Sequence, residues 1–156
     1  MYKDYIDLIK DKQIKMLVEE ATKEYGNKDL EKDSTEIAKL LIFILKEDKI
    51  YSDNNYVLFV DILIAAALLH NITYKYGTDD YTNLFKTRQL LNKINDEKEI
   101  YVPMNYMDLI VQPIEGQLGK NHPISLLIPS PNSPGSQFSL ACSLYYKGKC
   151  TINKET

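Results

Sequence analysis

A single arginine, Arg88, stands among the 19 basic residues, so the planar, bidentate grip that proteins use on phosphates and base edges is nearly absent. The formal net charge of -3 adds no global pull toward nucleic acid or an anionic membrane, and direct nucleic-acid binding is not expected. Cysteine is equally scarce: Cys142 and Cys150 cannot complete a metal-ligand pattern by themselves and are expected to be free thiols. No apolar run approaches a membrane span, the longest covering residues 62–69. The opening "MYKDYIDLIKDK" carries charges throughout and lacks the apolar core of a signal peptide. Together these absences point to a cytoplasmic protein of a bacterial cell with no membrane partner.

What is present suffices for one globular domain. A chain of 156 residues buries about 70% of the surface its unfolded form exposes and needs no disulfide or structural metal to fold. The abundance of Lys, Ile, Asn and Tyr fits an AT-rich coding genome, such as that of a low-GC bacterium or its phage.

Hydrophobic periodicity predicts helices along most of the chain. In "YIDLIKDKQIKMLVEEATKEYG", Ile6, Ile9, Ile14, Leu17, Val18 and Ala21 recur at helical spacing, with Gly26 and Asn27 as the stop. A second helix is expected over "DSTEIAKLLIFILKED", with Asp33 or Ser34 as N-cap and Glu36 reinforcing it. The third, within "SDNNYVLFVDILIAAALLHN", has Ser52 or Asp53 as its cap and is expected to be the most buried. Residues 78–96 predict a fourth helix. Residues 103–119 predict a fifth, which Pro113 should bend or interrupt. Four of the six prolines then fall in "NHPISLLIPSPNSPGS", which reads as an extended connector, before a last helix over "QFSLACSLYYKG". With no strand alternation, the fold class is all-α: a single bundle of five to six helices over residues 1–150, followed by a polar tail at 151–156.

The order of several short pieces carries a resemblance. "IKDKQIKMLVEE", "YSDNNYVLFVDILIAAALLHN", "YTNLFKTRQLL", "IEGQLG", the "PSP" turn at 129–131 and "FSLACSLYY" together resemble the HD-domain metal-dependent phosphohydrolases, specifically a small phage and firmicute type. In that family His and Asp side chains from several helices converge on one or two divalent cations, which polarise a phosphoryl oxygen and supply hydroxide. The resemblance assigns the first ligand position to Asp33-Ser34-Thr35, with Ser34 at its centre, and the His-Asp doublet to His70 and Asn71. It places later ligands at Thr87, Gln117 and Cys142. Of these His70 alone keeps the family's residue type. Asn71 retains the shape of Asp without the charge that holds a hard cation.

The expectation is therefore a degenerate, catalytically inactive HD-like protein without a cofactor. His70 is expected to be a core histidine hydrogen-bonded to Asn71, Gln117 or backbone, and His122 a solvated loop residue. The alternative is a divergent phosphohydrolase, acting on a nucleotide or nucleic acid through a divalent metal held by a site rebuilt from His70, Asn71, Asp79 and Asp80.

Twelve tyrosines in a chain without tryptophan make a protein-binding surface the functional candidate. Its candidate residues are Tyr51, Tyr56, Tyr74, Tyr76, Tyr81, Tyr101 and Tyr106, with Tyr145 and Tyr146 nearer the end of the chain. "QFSLACSLYY" also opens with a Gln-x-Ser-Leu pattern similar to the peptide that docks bacterial proteins onto the sliding clamp, bringing in Gln137, Phe138 and Leu140; its predicted helical setting argues against that role. The expected function is binding and modulation of a host macromolecule by a phage-encoded protein, for instance as an inhibitor of host replication or defence, with a host protein as partner and a nucleotide as a second ligand class.

Overall fold

A computed structural model describes residues 1–73, 80–115 and 141–142, without the side chains of 80–84 and 112–115. Among the described residues the regular structure is entirely helical, as the sequence pattern predicts. The helices are α1 (Tyr2–Ile6), α2 (Lys12–Tyr25), α3 (Lys28–Glu47), α4 (Val57–Leu69), α5 (Asp80–Glu97) and α6 (Met104–Glu115), with a 3-10 turn at Asn54–Tyr56 leading into α4.

The architecture is organised around α4. Its residues Val60 to Leu69 are all buried, and it packs against α1, α2, α3 and α6. A helix apolar on every side is stable only when enclosed on every side. Its three consecutive alanines, Ala65 to Ala67, add little bulk between it and its neighbours. The surrounding helices are amphipathic and turn Ile14, Leu17 and Val18 of α2, Ile37 and Leu41 of α3, Leu91 and Ile94 of α5, and Ile110 and Val111 of α6 into the same core.

Within that apolar surround one carboxylate is buried. Asp61 of α4 is 2% exposed and accepts two backbone hydrogen bonds, from Lys10 N to Oδ1 and from Asp11 N to Oδ2, each 2.9 Å. It thereby fixes the start of α2, whose own cap is Asp11, its Oδ1 accepting from Gln13 N and Ile14 N at 2.9 Å. The single helix expected up to Gly26 is consequently two, α1 and α2. The periodicity continues across residues 7–11, but a helical backbone would withdraw the two N–H groups that Asp61 requires.

Other boundaries differ from expectation for local reasons. The second helix starts at Lys28, earlier than Asp33 or Ser34, because Asn27 caps it by accepting from Asp29 N at 2.8 Å. Its first turn is almost wholly charged and faces water, so no apolar periodicity announces it. Gly26 separates α2 from α3, and a β-carbon there would collide with the Thr22 carbonyl and press on the Tyr2 ring. Asp53 caps the 3-10 turn as one of the two expected residues, accepting from Asn55 N at 2.9 Å.

The fifth helix runs through Pro113 to Glu115. Both α3 and α5 end with a left-handed residue that is not glycine, Lys49 (φ 60) and Glu99 (φ 53). The following amides, Ile50 N and Ile100 N, then bond back to Leu45 O and Asn95 O. Of the last expected helix, Ala141 and Cys142 are described and are helical.

Burial pushes the Asp61 carboxyl above its ordinary value, outweighing the two N–H donors and the nearby Lys10 that favour its charged form. Asp61→Asn presents an amide donor to one of two backbone donors, and we expect a loss of about 1–3 kcal/mol in unfolding free energy. A raised folded pKa contributes stability that is full below the ordinary value of 3.8 and declines as pH rises through the raised value. The gap between wild type and Asp61→Asn should thus be largest near pH 4 and narrower at pH 7. Urea unfolding at both pH values checks this; an equal or wider gap at pH 7 contradicts it.

Candidate functional site

Ser34, His70, Asn71, Thr87 and Cys142, at positions that the resemblance assigns to metal ligands, are all buried, and two of them, Ser34 and Asn71, bond to each other. Ser34 lies on α3 with no exposed surface, and its hydroxyl donates to Asn71 Oδ1 at 2.6 Å, just beyond the end of α4. Asn71 Nδ2 donates onward to Leu30 O at 3.2 Å, back on α3. One buried carboxamide therefore staples the α3 backbone to the end of α4. Both of its polar ends are engaged.

His70 is the C-cap of α4 and points its Nδ1 at Ala67 O, 2.8 Å away. A carbonyl only accepts, so the proton resides on Nδ1. Burial pushes the imidazole below its ordinary range, while the Ala67 hydrogen bond and the Asp33 charge pull the other way without prevailing. His70 is a buried histidine bonded to backbone, one of the arrangements expected for it.

Two residues further on, Thr73 Oγ1 lies 3.1 Å from Thr87 Oγ1 of α5, both buried. Cys142 is fully buried, and its thiol is pushed upward by that burial, which makes it a poor nucleophile at neutral pH. Ser34 and Asn71, and Thr73 and Thr87, are thus joined as two pairs. Gln117 lies outside the described residues, as do Asp79, His122 and Cys150, and the Asp80 side chain is not described.

Among the described residues, no group of three or more His, Cys, Asp or Glu side chains lies together as a metal site would require. The donor set at the described assigned positions consists of two hydroxyls, a carboxamide, a buried thiol and one imidazole whose Nδ1 is occupied. These are weak partners for a hard divalent cation.

A neighbour missed by sequence reasoning is Tyr2. Its ring inserts from α1 toward Gly26, and its hydroxyl is buried with no hydrogen-bond partner among the described residues. Burial, together with the Glu31 charge, raises the phenol to about 12, although the Ser34 hydroxyl beside it pulls the other way. Ser34 has already committed its proton to Asn71. A tyrosine second in the chain gives no sequence signal of such a position, and neither does Thr73. Asp61 does give one, as a lone acid inside "FVDILIAAALL".

The candidate interface tyrosines are divided between places. Tyr51 lies at the α3–α4 turn under Lys46, whose ammonium is 5.1 Å from the ring centroid. Tyr56 stands nearby at the start of α4, its ring 6.1 Å from that of Phe59. Tyr101 instead precedes α6 and donates its backbone N–H to Gln13 Oε1 of α2 at 2.9 Å, with its ring 75% exposed. Tyr106 is partly buried against the core. Tyr74, Tyr76, Gln137, Phe138 and Leu140 fall outside the described residues, with Tyr145 and Tyr146, and the Tyr81 side chain is not described. Arg88 pairs with Asp108 at 2.6 Å and links α5 to α6.

Comparison with known proteins brings no relative to bear: no protein-family model matches the chain, and neither a curated protein nor a solved structure does.

Two measurements probe the polar tier. Asn71→Asp sets a carboxylate against the Leu30 carbonyl, two acceptors facing each other. It should destabilise the fold by about 1–3 kcal/mol at neutral pH, and manganese should not restore the loss. A manganese-dependent rise in melting temperature would show that a cation site can be rebuilt there. Tyr2→Phe removes an unpaired buried hydroxyl and should leave stability unchanged or raise it by about 1 kcal/mol. Because the raised Tyr2 pKa contributes stability that is present below 10.0 and lost as pH climbs through about 12, the variant should also resist alkali better. Thermal unfolding at pH 8 and pH 11 tests both, and a clear loss at pH 8 would mean that the hydroxyl is bonded.

Proposed function

We propose that this chain is a degenerate HD-like domain that performs no phosphohydrolysis and acts by binding another protein. The observation that carries this reading is the Ser34–Asn71 hydrogen bond, 2.6 Å long and fully buried. At two positions where the resemblance calls for metal ligands, the side chains satisfy each other and tie α3 to α4. Their polarity is spent on holding the fold.

The exposed side chains supply the rest of the argument. Tyr101 and Met104, 75% and 62% exposed, follow one another on the segment entering α6, and the Gln13 bond holds that segment against α2. Met16, also exposed, lies one turn along α2 from Gln13. Aromatic and methionine side chains so placed are typical of the energetic centre of protein interfaces. A partner with a positively charged contact surface suits the net charge of -3. The expected setting is a phage protein modulating a host protein.

The test is a pull-down from a low-GC bacterial lysate, followed by affinity measurement on the recovered partner. Tyr101→Ala should weaken binding by about 2 kcal/mol, roughly thirtyfold, with helicity unchanged by circular dichroism. Tyr56→Ala, at the start of α4, reports whether the α3–α4 turn takes part. Should the purified protein instead hydrolyse a nucleotide with metal, and lose that activity in His70→Ala, the phosphohydrolase reading replaces this one.

A further inference from the structure

We propose that the open cleft at the C-terminal end of α5 receives an arginine side chain of the partner protein, an inference that deepens the protein-binding reading and rests on it. The cleft encloses about 390 Å³ and is lined by Asn95 and Asp96 of the last turn of α5 and by residues 99–103 beyond it. It adjoins the surface already described, because Tyr101 belongs to both and Met104 follows directly on Pro103.

The segment that forms the cleft is held in place from several sides. Ile100 N donates to Asn95 O at 3.0 Å, and the Asn95 carboxamide both donates to Val102 O and accepts from Val102 N at 3.1 Å. Tyr101 N is held by Gln13 Oε1 of α2. Ile100 and Val102 on either side are buried, whereas the Tyr101 ring between them is left in water. An aromatic ring exposed on so fixed a backbone is ready for a partner, with little ordering of the backbone left to be done on binding.

The charges around the ring select the partner's residue type. The last turn of α5 holds Asp96 and Glu97 and no basic residue, although the carbonyl end of a helix already carries partial negative charge and favours cations. Glu99 adds a second carboxylate to the lining. Lys98, the one basic residue between Ile94 and Pro103, reaches across to Glu20 of α2 at 4.0 Å and does not line the cleft. Asp96 and Glu99 are exposed and have no ion-pair partner among the described residues. A cation supplied from outside offsets this crowding of negative charge. Guanidinium suits both parts of the site, since its flat face stacks on a tyrosine ring while its N–H fork donates to carboxylates. An ammonium is a compact, strongly hydrated charge without that planar face. Arginine is also among the residues that carry most binding energy at protein interfaces.

Titration of the isotope-labelled full chain with N-acetyl-arginine amide at low salt, followed through its amide NMR shifts, tests the proposal. N-acetyl-citrulline amide serves as the uncharged isostere and N-acetyl-lysine amide as the ammonium comparison. The arginine probe should shift the amides of residues 95–102, the lysine probe should bind more weakly and the citrulline probe should not bind. Asp96→Asn and Glu99→Gln should each weaken arginine binding about two- to fivefold. Tyr101→Phe should retain it and Tyr101→Leu should weaken it by a similar factor, while Glu47→Gln, an exposed acid of α3 outside the cleft, should leave it unchanged. Absence of an arginine-dependent shift at these residues overturns the proposal, as do equal binding by either comparison probe and an equal loss in Glu47→Gln. The titration involves no protein partner, so its failure leaves the protein-binding reading standing.

Discussion

The fold depends on the contact between Asp61 and the backbone of residues 10 and 11. Helix α4 is so uniformly apolar that hydrophobic burial alone does not fix its rotation or its depth among its neighbours. A carboxylate that must meet two successive N–H groups, each at 2.9 Å, does fix them. The same contact decides where α1 stops and α2 starts, because those N–H groups lie outside the helical ladder. Its electrostatic cost is real, since burial works against the ionised form. A buried acid of this kind is better understood as setting register than as adding net stability.

The tier at the other end of α4 obeys the same logic with neutral groups. Asn71 can donate and accept at once, so one side chain serves the Ser34 hydroxyl and the Leu30 carbonyl together. An aspartate there could accept from Ser34 but would face the carbonyl as a second acceptor unless protonated or paired with a cation. Asparagine is the residue type that a metal-free packing of α3 against α4 requires. The Tyr2 hydroxyl, buried beside Ser34 without a partner, is the one polar side-chain atom among the described residues that this arrangement leaves unsatisfied.

Helices and their apolar faces were legible because the 3.6-residue period survives wherever a helix covers the core. Boundaries set by distant partners were not. The break at residues 7–11 is dictated by Asp61, about fifty positions away, and no local pattern marks it. The start of α3 was hidden by a charged, solvent-facing first turn, while Lys49 and Glu99 end helices in a conformation that usually advertises itself through glycine. At the candidate site, aligning short motifs singled out Ser34, Asn71 and Thr87, and all three prove buried and hydrogen-bonded. Tyr2, Leu30 and Thr73 escaped notice because their roles follow from packing between helices and not from residue type.

A division of labour between interior and surface follows from this geometry. Apart from the Tyr2 hydroxyl, the buried polar side chains Ser34, Asp61, His70, Asn71, Thr73 and Thr87 are engaged with one another or with backbone, and changing them acts first on stability. Chemistry available to a partner has to come from the rim: Tyr101 and Met104 beside α2, and Tyr56 and Phe59 at the head of α4. Thr73, which bonds to Thr87, ties α5 to the segment following α4.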